Sequence, residues 1–274
     1  MKILVPSDFS QASNNAALYA AKFAKKVNAE IIVFNVVHFE HPPMLQVSGF
    51  IEHQIEDIRV SNASQECVLL VNDLKSKVKG ARISFKVVPG SPIEDIIEKY
   101  ATTNKIDLII MGTKGASGLL KVLFGSNAAT VINKSSIPVI TVPESSNFNN
   151  VKHIVYASEM HKMQSEIQKI IPLAKLFDAS IDIIHILPPE SKKKIDTVSV
   201  ENGLIEKYKH QKISFNIAHN SDVVGGINEF VADVKADILV MYTHEIGFFE
   251  SLFKTSFSRE EAFHSLVPLL TLKK

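Results

Sequence analysis

The chain is poor in cysteine, tryptophan and arginine, and each shortage narrows what it can do. A single thiol, Cys67, rules out a disulfide within the chain. Next to Val68-Leu69-Leu70, that thiol reads as a buried small hydrophobe rather than a reactive group. The only arginines, Arg59, Arg82 and Arg259, form no evident set for stabilising phosphoryl-transfer charge. A formal net charge of +1, no tryptophan and no basic-aromatic stripe argue against nucleic acid, and the same neutrality gives no pull toward a membrane. No run approaches the roughly 18 apolar residues of a spanning helix. The opening Met1-Lys2-Ile3-Leu4-Val5-Pro6 is too short for a signal peptide, so a cytoplasmic location is expected. The histidines, among them His38, His41, His161 and His185, lack H-E-x-x-H spacing and have no cysteine pair beside them, so no metal site is expected. Neither a G-x4-G-K-[S/T] loop, an S-G-G-x-D-S loop nor an H-x-G-H motif occurs, and no catalytic residue is assigned; turnover would be at most slow ATP hydrolysis or autophosphorylation.

What is present is an ordinary globular composition, 46% hydrophobic and 22% charged over 274 residues, long enough for one large or two ordinary domains. An internal repeat decides between them. Lys105-Ile106-Asp107-Leu108-Ile109-Ile110-Met111 matches Lys235-Ala236-Asp237-Ile238-Leu239-Val240-Met241 at an offset of 130, which continues to Pro138 with Pro268 and Thr141 with Thr271. Nearer the N-terminus the offset is larger: Ile3 to Asp8 aligns with Ile154 to Glu159 at 151, and Ala29 to Val37 with Ala179 to Leu187 at 150. The first copy therefore holds about 20 more residues between Val37 and Arg82. The polar cluster from Glu144 to Asn150 reads as the linker, giving domains 1–144 and 151–274.

Each copy alternates apolar runs with helical patterns. In the first, strands are expected at about 2–6, 30–37, 82–88, 107–111 and 137–142. Continuous runs such as Ile31-Ile32-Val33-Phe34 suit strands buried on both faces. Helices are expected from Asn14 to Val27, across a longer pattern from Phe50 to Val78 that reads as continuous or broken, from an entry at Ser91 (N-cap) and Pro92 (first position), and from Gly125-Ser126. The fold class is α/β, two tandem doubly wound parallel-sheet domains of Rossmann-like type. Ligands on such sheets bind beyond the carboxyl ends of the strands, where Asp8, Val37 and Gly112 fall.

After Leu108-Ile109-Ile110-Met111 comes Gly112-Thr113-Lys114-Gly115, and nine residues on, Gly125-Ser126-Asn127 opens a helix. Glycines at a strand end let a backbone approach a ligand, and unpaired N–H groups at a helix start favour phosphate. The spacing G-x2-G-x9-G-[S/T] thus reads as a nucleotide-phosphate cradle, against the plainer reading of a tight turn with close helix packing. Asp8 would meet a ligand or cap the following helix with Ser10.

Together with Ile3-Leu4-Val5-Pro6-Ser7-Asp8-Phe9-Ser10, Val88-Pro89-Gly90-Ser91-Pro92-Ile93 and the closing run Ser136 to Val142, this region resembles the universal stress proteins, here in tandem-domain form with an adenine-nucleotide alpha hydrolase-like fold. The resemblance implies an ATP site in the first copy, with magnesium or manganese able to accompany the phosphates. Pro6, Ser7 and Asp8 would line it near the nucleoside, and Val37 would offer backbone groups to the adenine edge. Met111, Gly112, Thr113, Lys114 and Gly115 would hold ribose and phosphates, and Gly125, Ser126 and Asn127 the phosphate oxygens. It also implies a stress-response regulator with an unknown protein partner, whose two copies pair within the chain as a pseudo-dimer; a further homodimer is open.

The second copy departs from the pattern. Tyr242 replaces Gly112, Glu245 replaces Gly115, Thr255 replaces Gly125, Glu159 replaces Asp8 and Phe257 replaces Asn127. Bulk and negative charge there oppose ATP binding, so this copy is expected to be structural or an interaction module. The apolar insert Pro42 to Ile51 could be a lid, pack within the chain or meet another molecule. A scaffold that binds no nucleotide is the alternative function.

Overall fold

A computed structural model of the chain describes residues 1–38, 49–113, 126–243 and 267–273, with the backbone alone for 49–53 and 126. It forms two compact units, Met1–Phe148 and Asn149–Lys274. The first runs β1 (Lys2–Pro6), α1 (Gln11–Lys26), β2 (Glu30–Val37), α2 (Gly49–Lys77), β3 (Arg82–Pro89), α3 (Ile93–Thr103), β4 (Leu108–Gly112), α4 (Ser126–Lys134) and β5 (Val139–Val142). Its strands are parallel in the order β3-β2-β1-β4-β5. The second runs β6 (His153–Ala157), α5 (Met163–Phe177), β7 (Ser180–Leu187), α6 (Thr197–Tyr208), β8 (Ile213–His219), α7 (Val223–Asp233), β9 (Ile238–Thr243) and β10 (Leu269–Lys273). Its parallel order, β8-β7-β6-β9-β10, is the same winding. In each unit the chain leaves the first strand in one direction and later returns to its other side, which makes a topological switch point.

The duplication is visible in the backbone as well as in the order of elements. Phe9 and Met160 have φ of 62° and 68°, Asn28 and Asp178 52° and 54°, and Lys105 and Lys235 52° and 51°. Side chains with a Cβ seldom adopt this region, so three matched pairs at the sequence offsets mark the same turns built twice. Hydrogen bonds repeat too: Ser7 N–H donates to Phe34 O at 2.9 Å as Ser158 does to Ile184 O at 2.9 Å, and Ile109 N–H to Pro138 O at 2.9 Å as Leu239 does to Pro268 O at 2.9 Å.

The core follows from the side chains available. Ile3, Leu4 and Val5 of β1 and all of β4 are buried, as an apolar run covered on both faces requires. α1 presents Ala12, Ala16, Ala17, Ala20, Ala21 and Ala24 to the sheet, with Tyr19 and Phe23. Small side chains let a helix axis come close to the strands. α1 starts at Gln11 rather than Asn14 because Ser10 Oγ accepts the Ser13 N–H at 3.2 Å, a side-chain cap. At α3 the cap position is Pro92, not Ser91; its ψ of 148° is still extended, so the helix begins one residue later. Gly225 and Gly226 lie within α7.

α2 is one unbroken helix of 29 residues, whereas its counterpart α6 has 12. The longer first copy is therefore mainly a longer helix. The insert residues 42–48 lie outside the described residues. Cys67, Leu70, Val71 and Leu74 of α2 are buried against the sheet. Burial, and secondarily Glu66, pushes the Cys67 thiol from its ordinary 9.0 up to about 11. A folded-state value above the unfolded one stabilises the protein below pH 9, and this contribution fades as the pH rises through about 11. The Cys67→Ala variant should therefore lose about 2–3 kcal/mol less stability than the wild type between those pH values. Urea unfolding at both pH values measures this; equal losses in the two proteins would refute it.

Candidate functional site

The switch point of the first unit lies between β1 and β4, and their carboxyl ends define the candidate site. Beyond Pro6, the segment from Ser7 to Ser10 is held in place by its own polar groups. Buried Ser7 donates its N–H to Phe34 O, its Oγ lies 3.1 Å from Ser13 Oγ, and it accepts the Phe9 N–H at 3.2 Å. Asp8 Oδ1 accepts the Ser10 N–H at 3.1 Å, and Asn14 Nδ2 donates to Phe9 O at 3.1 Å. The α1 cap thus belongs to Ser10, while Asp8 braces the turn and is exposed. At the end of β2, Val37 O accepts the Gly90 N–H at 3.0 Å; a carbonyl has two lone pairs, so a second donor can still be accommodated.

Across the switch point, Met111, Gly112 and Thr113 are buried, and Thr113 N–H donates to Val142 O at 3.2 Å. α4 begins at Ser126, with Asn127 exposed in its first turn and no acidic residue there to oppose an anion. Lys114, Gly115, Gly125 and the Ser126 side chain lie outside the described residues. Gly112 has a specific neighbour: a Cβ built on it would lie 2.9 Å from Ala12 O, 3.0 Å from Ala12 C and 3.2 Å from Ser13 N. The space left by its missing side chain is filled by the first turn of α1, so close helix packing explains this glycine.

Asn35 was not among the residues singled out from the sequence. It is buried, its Nδ2 donates to Ser7 O at 2.9 Å, and its Oδ1 meets no hydrogen-bond donor among the described residues. A polar residue on the buried stripe Ile31, Val33, Asn35, Val37 was the available signal. This end of the unit thus brings together an exposed carboxylate on a hydrogen-bonded turn, a buried amide oxygen without a donor among the described residues and, across the switch point, a helix start with no acidic residue in its first turn. The shallow groove of about 380 Å³ lined by Asp95, Glu98, Lys99 and Lys134 contains none of these residues. There Lys134 bonds Asp95 at 2.8 Å, a contact that raises its pKa, and Ser136 donates to Glu98 at 2.7 Å.

The second unit keeps the loop and changes the filling. Ser158 Oγ accepts the Met160 N–H at 3.0 Å, and His185 Nδ1 donates to Ser158 O at 2.7 Å, the role Asn35 has in the first unit. Tyr242, at the position of Gly112, is buried and donates its hydroxyl to Glu166 O at 2.6 Å. The Tyr156 hydroxyl bonds the Glu166 carboxylate, and the two rings meet edge-on with centroids 6.0 Å apart. Burial, with Glu166 adding to it, raises the pKa of both tyrosines, so they stay neutral. Glu166 precedes Ile167 and Ile170 on the buried face of α5, a signal the sequence reading passed over. Glu245, Thr255 and Phe257 lie outside the described residues. Among the described residues no helix is long and apolar enough to cross a membrane, and no group of three or more His, Cys, Asp or Glu side chains could hold a metal.

The fold defines a class: doubly wound α/β domains in tandem. Residues 1–143 match the family model described as the universal stress protein family. A universal stress protein of Methanocaldococcus jannaschii is 34% identical over 141 residues, 52% of this chain and 81% of that relative. A second from the same organism is 28% identical over 152 residues, covering 52% of this chain and 93% of that one. A crystal structure of a universal stress protein from Archaeoglobus fulgidus aligns with 100% of this chain and 96% of its own at a TM-score of 0.68 and 20% identity, a likeness of fold. The chain belongs to the universal stress protein family, as a two-repeat member.

Proposed function

We propose that this chain is a stress-response regulator of the cytoplasm that binds ATP in its first repeat, the second repeat serving as a structural or interaction module. The observation that supports this reading best is the pairing, across the β1–β4 switch point, of the braced Ser7–Ser10 turn with the start of α4 at Ser126–Asn127. Asp8 is suited to a ribose hydroxyl or an adenine amino group. Val37 borders the purine, and Gly115, Gly125, Ser126 and Asn127 would meet phosphate oxygens at the positive end of α4. Pro6, Met111, Thr113 and Lys114 complete the lining. A magnesium or manganese ion would be held mainly by the phosphates.

Binding is favoured over catalysis. Arg82 sits at the opposite end of the sheet, where it bonds Asn28 O at 2.6 Å and pairs with Glu30 at 3.4 Å. It is therefore remote from any phosphate at the β4 end and not placed for transition-state charge. The rival reading, a scaffold without nucleotide, draws on the packing role of Gly112. Titration calorimetry with ATP separates the two. One equivalent per chain is expected, with affinity lost in Gly125→Val and lowered about tenfold in Asp8→Ala. Two equivalents would defeat the assignment to one repeat, and no binding at millimolar ATP would favour the scaffold.

A further inference from the structure

We propose that α2 is a self-association surface through which two copies of this chain pair antiparallel, about a twofold axis near residues 63 and 64. α2 carries two apolar faces. One, with Cys67, Leu70, Val71 and Leu74, is buried in its own unit. The other follows the sequence positions 55, 58, 62, 65 and 69, spaced alternately three and four, the seam of a two-stranded coiled coil. Its residues are Ile55, Ile58, Asn62, Gln65 and Leu69, all exposed; Ile58 and Leu69 are 59% and 63% accessible. Large aliphatic side chains this open, at the seam spacing, on a helix more than twice as long as its counterpart in the second unit, are not covered by the described residues of the chain.

The pattern also identifies the occupant. An isologous contact needs a surface complementary to itself. Read about residues 63 and 64, its four central positions are apolar, amide, amide, apolar: Ile58 faces Leu69 of the second copy and Asn62 faces Gln65, twice by symmetry, while Ile55 falls opposite Asn72 at the edge. The flanking charges fix the direction. Arg59 and Glu66 occupy the same flank, one heptad apart. Antiparallel helices bring like flanks together, so Arg59 of each copy meets Glu66 of the other, about 3 Å out of axial register. A parallel pair would instead set Arg59 opposite Gln54 and Glu66 opposite Ser61, with no charge pair. The amide layer at the centre lowers affinity while fixing the register, so a reversible, concentration-dependent dimer is the expected form.

Sedimentation equilibrium of the full chain from about 1 to about 100 μM tests this. A monomer–dimer equilibrium is expected. Leu69→Glu should raise the dimer dissociation constant about tenfold or more, and its exposed position should leave the thermal melt nearly unchanged. Arg59→Glu alone and Glu66→Arg alone should each weaken the dimer, and the doubly reversed chain should recover to within about threefold of wild type, which a general loss of folding could not produce. A monomer at every concentration would overturn the proposal. So would a dimer indifferent to Leu69→Glu, or charge reversals that fail to compensate each other.

Discussion

Replacing Tyr242 by glycine, the residue found at the matching position of the first repeat, is expected to destabilise the second unit by about 3–5 kcal/mol and to create no second nucleotide site. The side chain is 5% exposed, its ring packs edge-on against Tyr156, and its hydroxyl is bonded to Glu166 O. Truncation leaves a cavity the size of a phenol and removes the second hydrogen bond to a buried helix carbonyl. Against a typical total stability of about 5–15 kcal/mol, that loss should separate the unfolding of this unit from that of the first. Tyr242→Phe removes only the hydroxyl and should cost about 1–2 kcal/mol, which divides the effect between cavity and hydrogen bond. Urea unfolding followed by far-ultraviolet dichroism reads both, and calorimetry with ATP reads the site. A glycine variant as stable as the wild type, or one that takes up a second equivalent of ATP, would contradict this account.

The contrast between the two repeats also shows how far a sequence can be read. The strands were legible because Ile31-Ile32-Val33-Phe34 and Leu108-Ile109-Ile110-Met111 are runs that only a strand covered on both faces can bury. The repeat was legible because Lys105 to Met111 matches Lys235 to Met241 at an offset that holds to Thr141 and Thr271. α2 was less so, because a helix with exposed aliphatic side chains no longer shows a single periodic stripe, and the pattern from Phe50 to Val78 can be read as continuous or broken. At the candidate site, the strand ends and the helix start carried local signals in Asp8, Gly112 and Ser126. What depended on distant parts of the chain did not show. Tyr242 and Glu166 are 76 residues apart, and nothing near either announces the bond between them. The same holds for Asn35 and Ser7, and for the atoms that border Gly112.

Gly112 carries the other large effect, because its neighbours are backbone. A methyl group there would lie within 3.2 Å of the Ala12 carbonyl and the Ser13 nitrogen, and these atoms cannot rotate away as a side-chain tip would. The first turn of α1 must move instead. Gly112→Ala is expected to cost about 1–3 kcal/mol and Gly112→Val more. That turn also contains Ser13, which bonds Ser7 and Ser10, so the displacement reaches the turn carrying Asp8. ATP affinity and stability should therefore fall together. If Gly112 served only to let a ligand approach, affinity would fall at unchanged stability; if only packing were at stake and no site lay here, stability alone would change. Ala12→Gly should not rescue Gly112→Ala, because the obstruction is the carbonyl of residue 12 and not its methyl group. Rescue by that second substitution would mean the helix is held off by its side chain, and the close backbone contact between α1 and β4 would have to be abandoned.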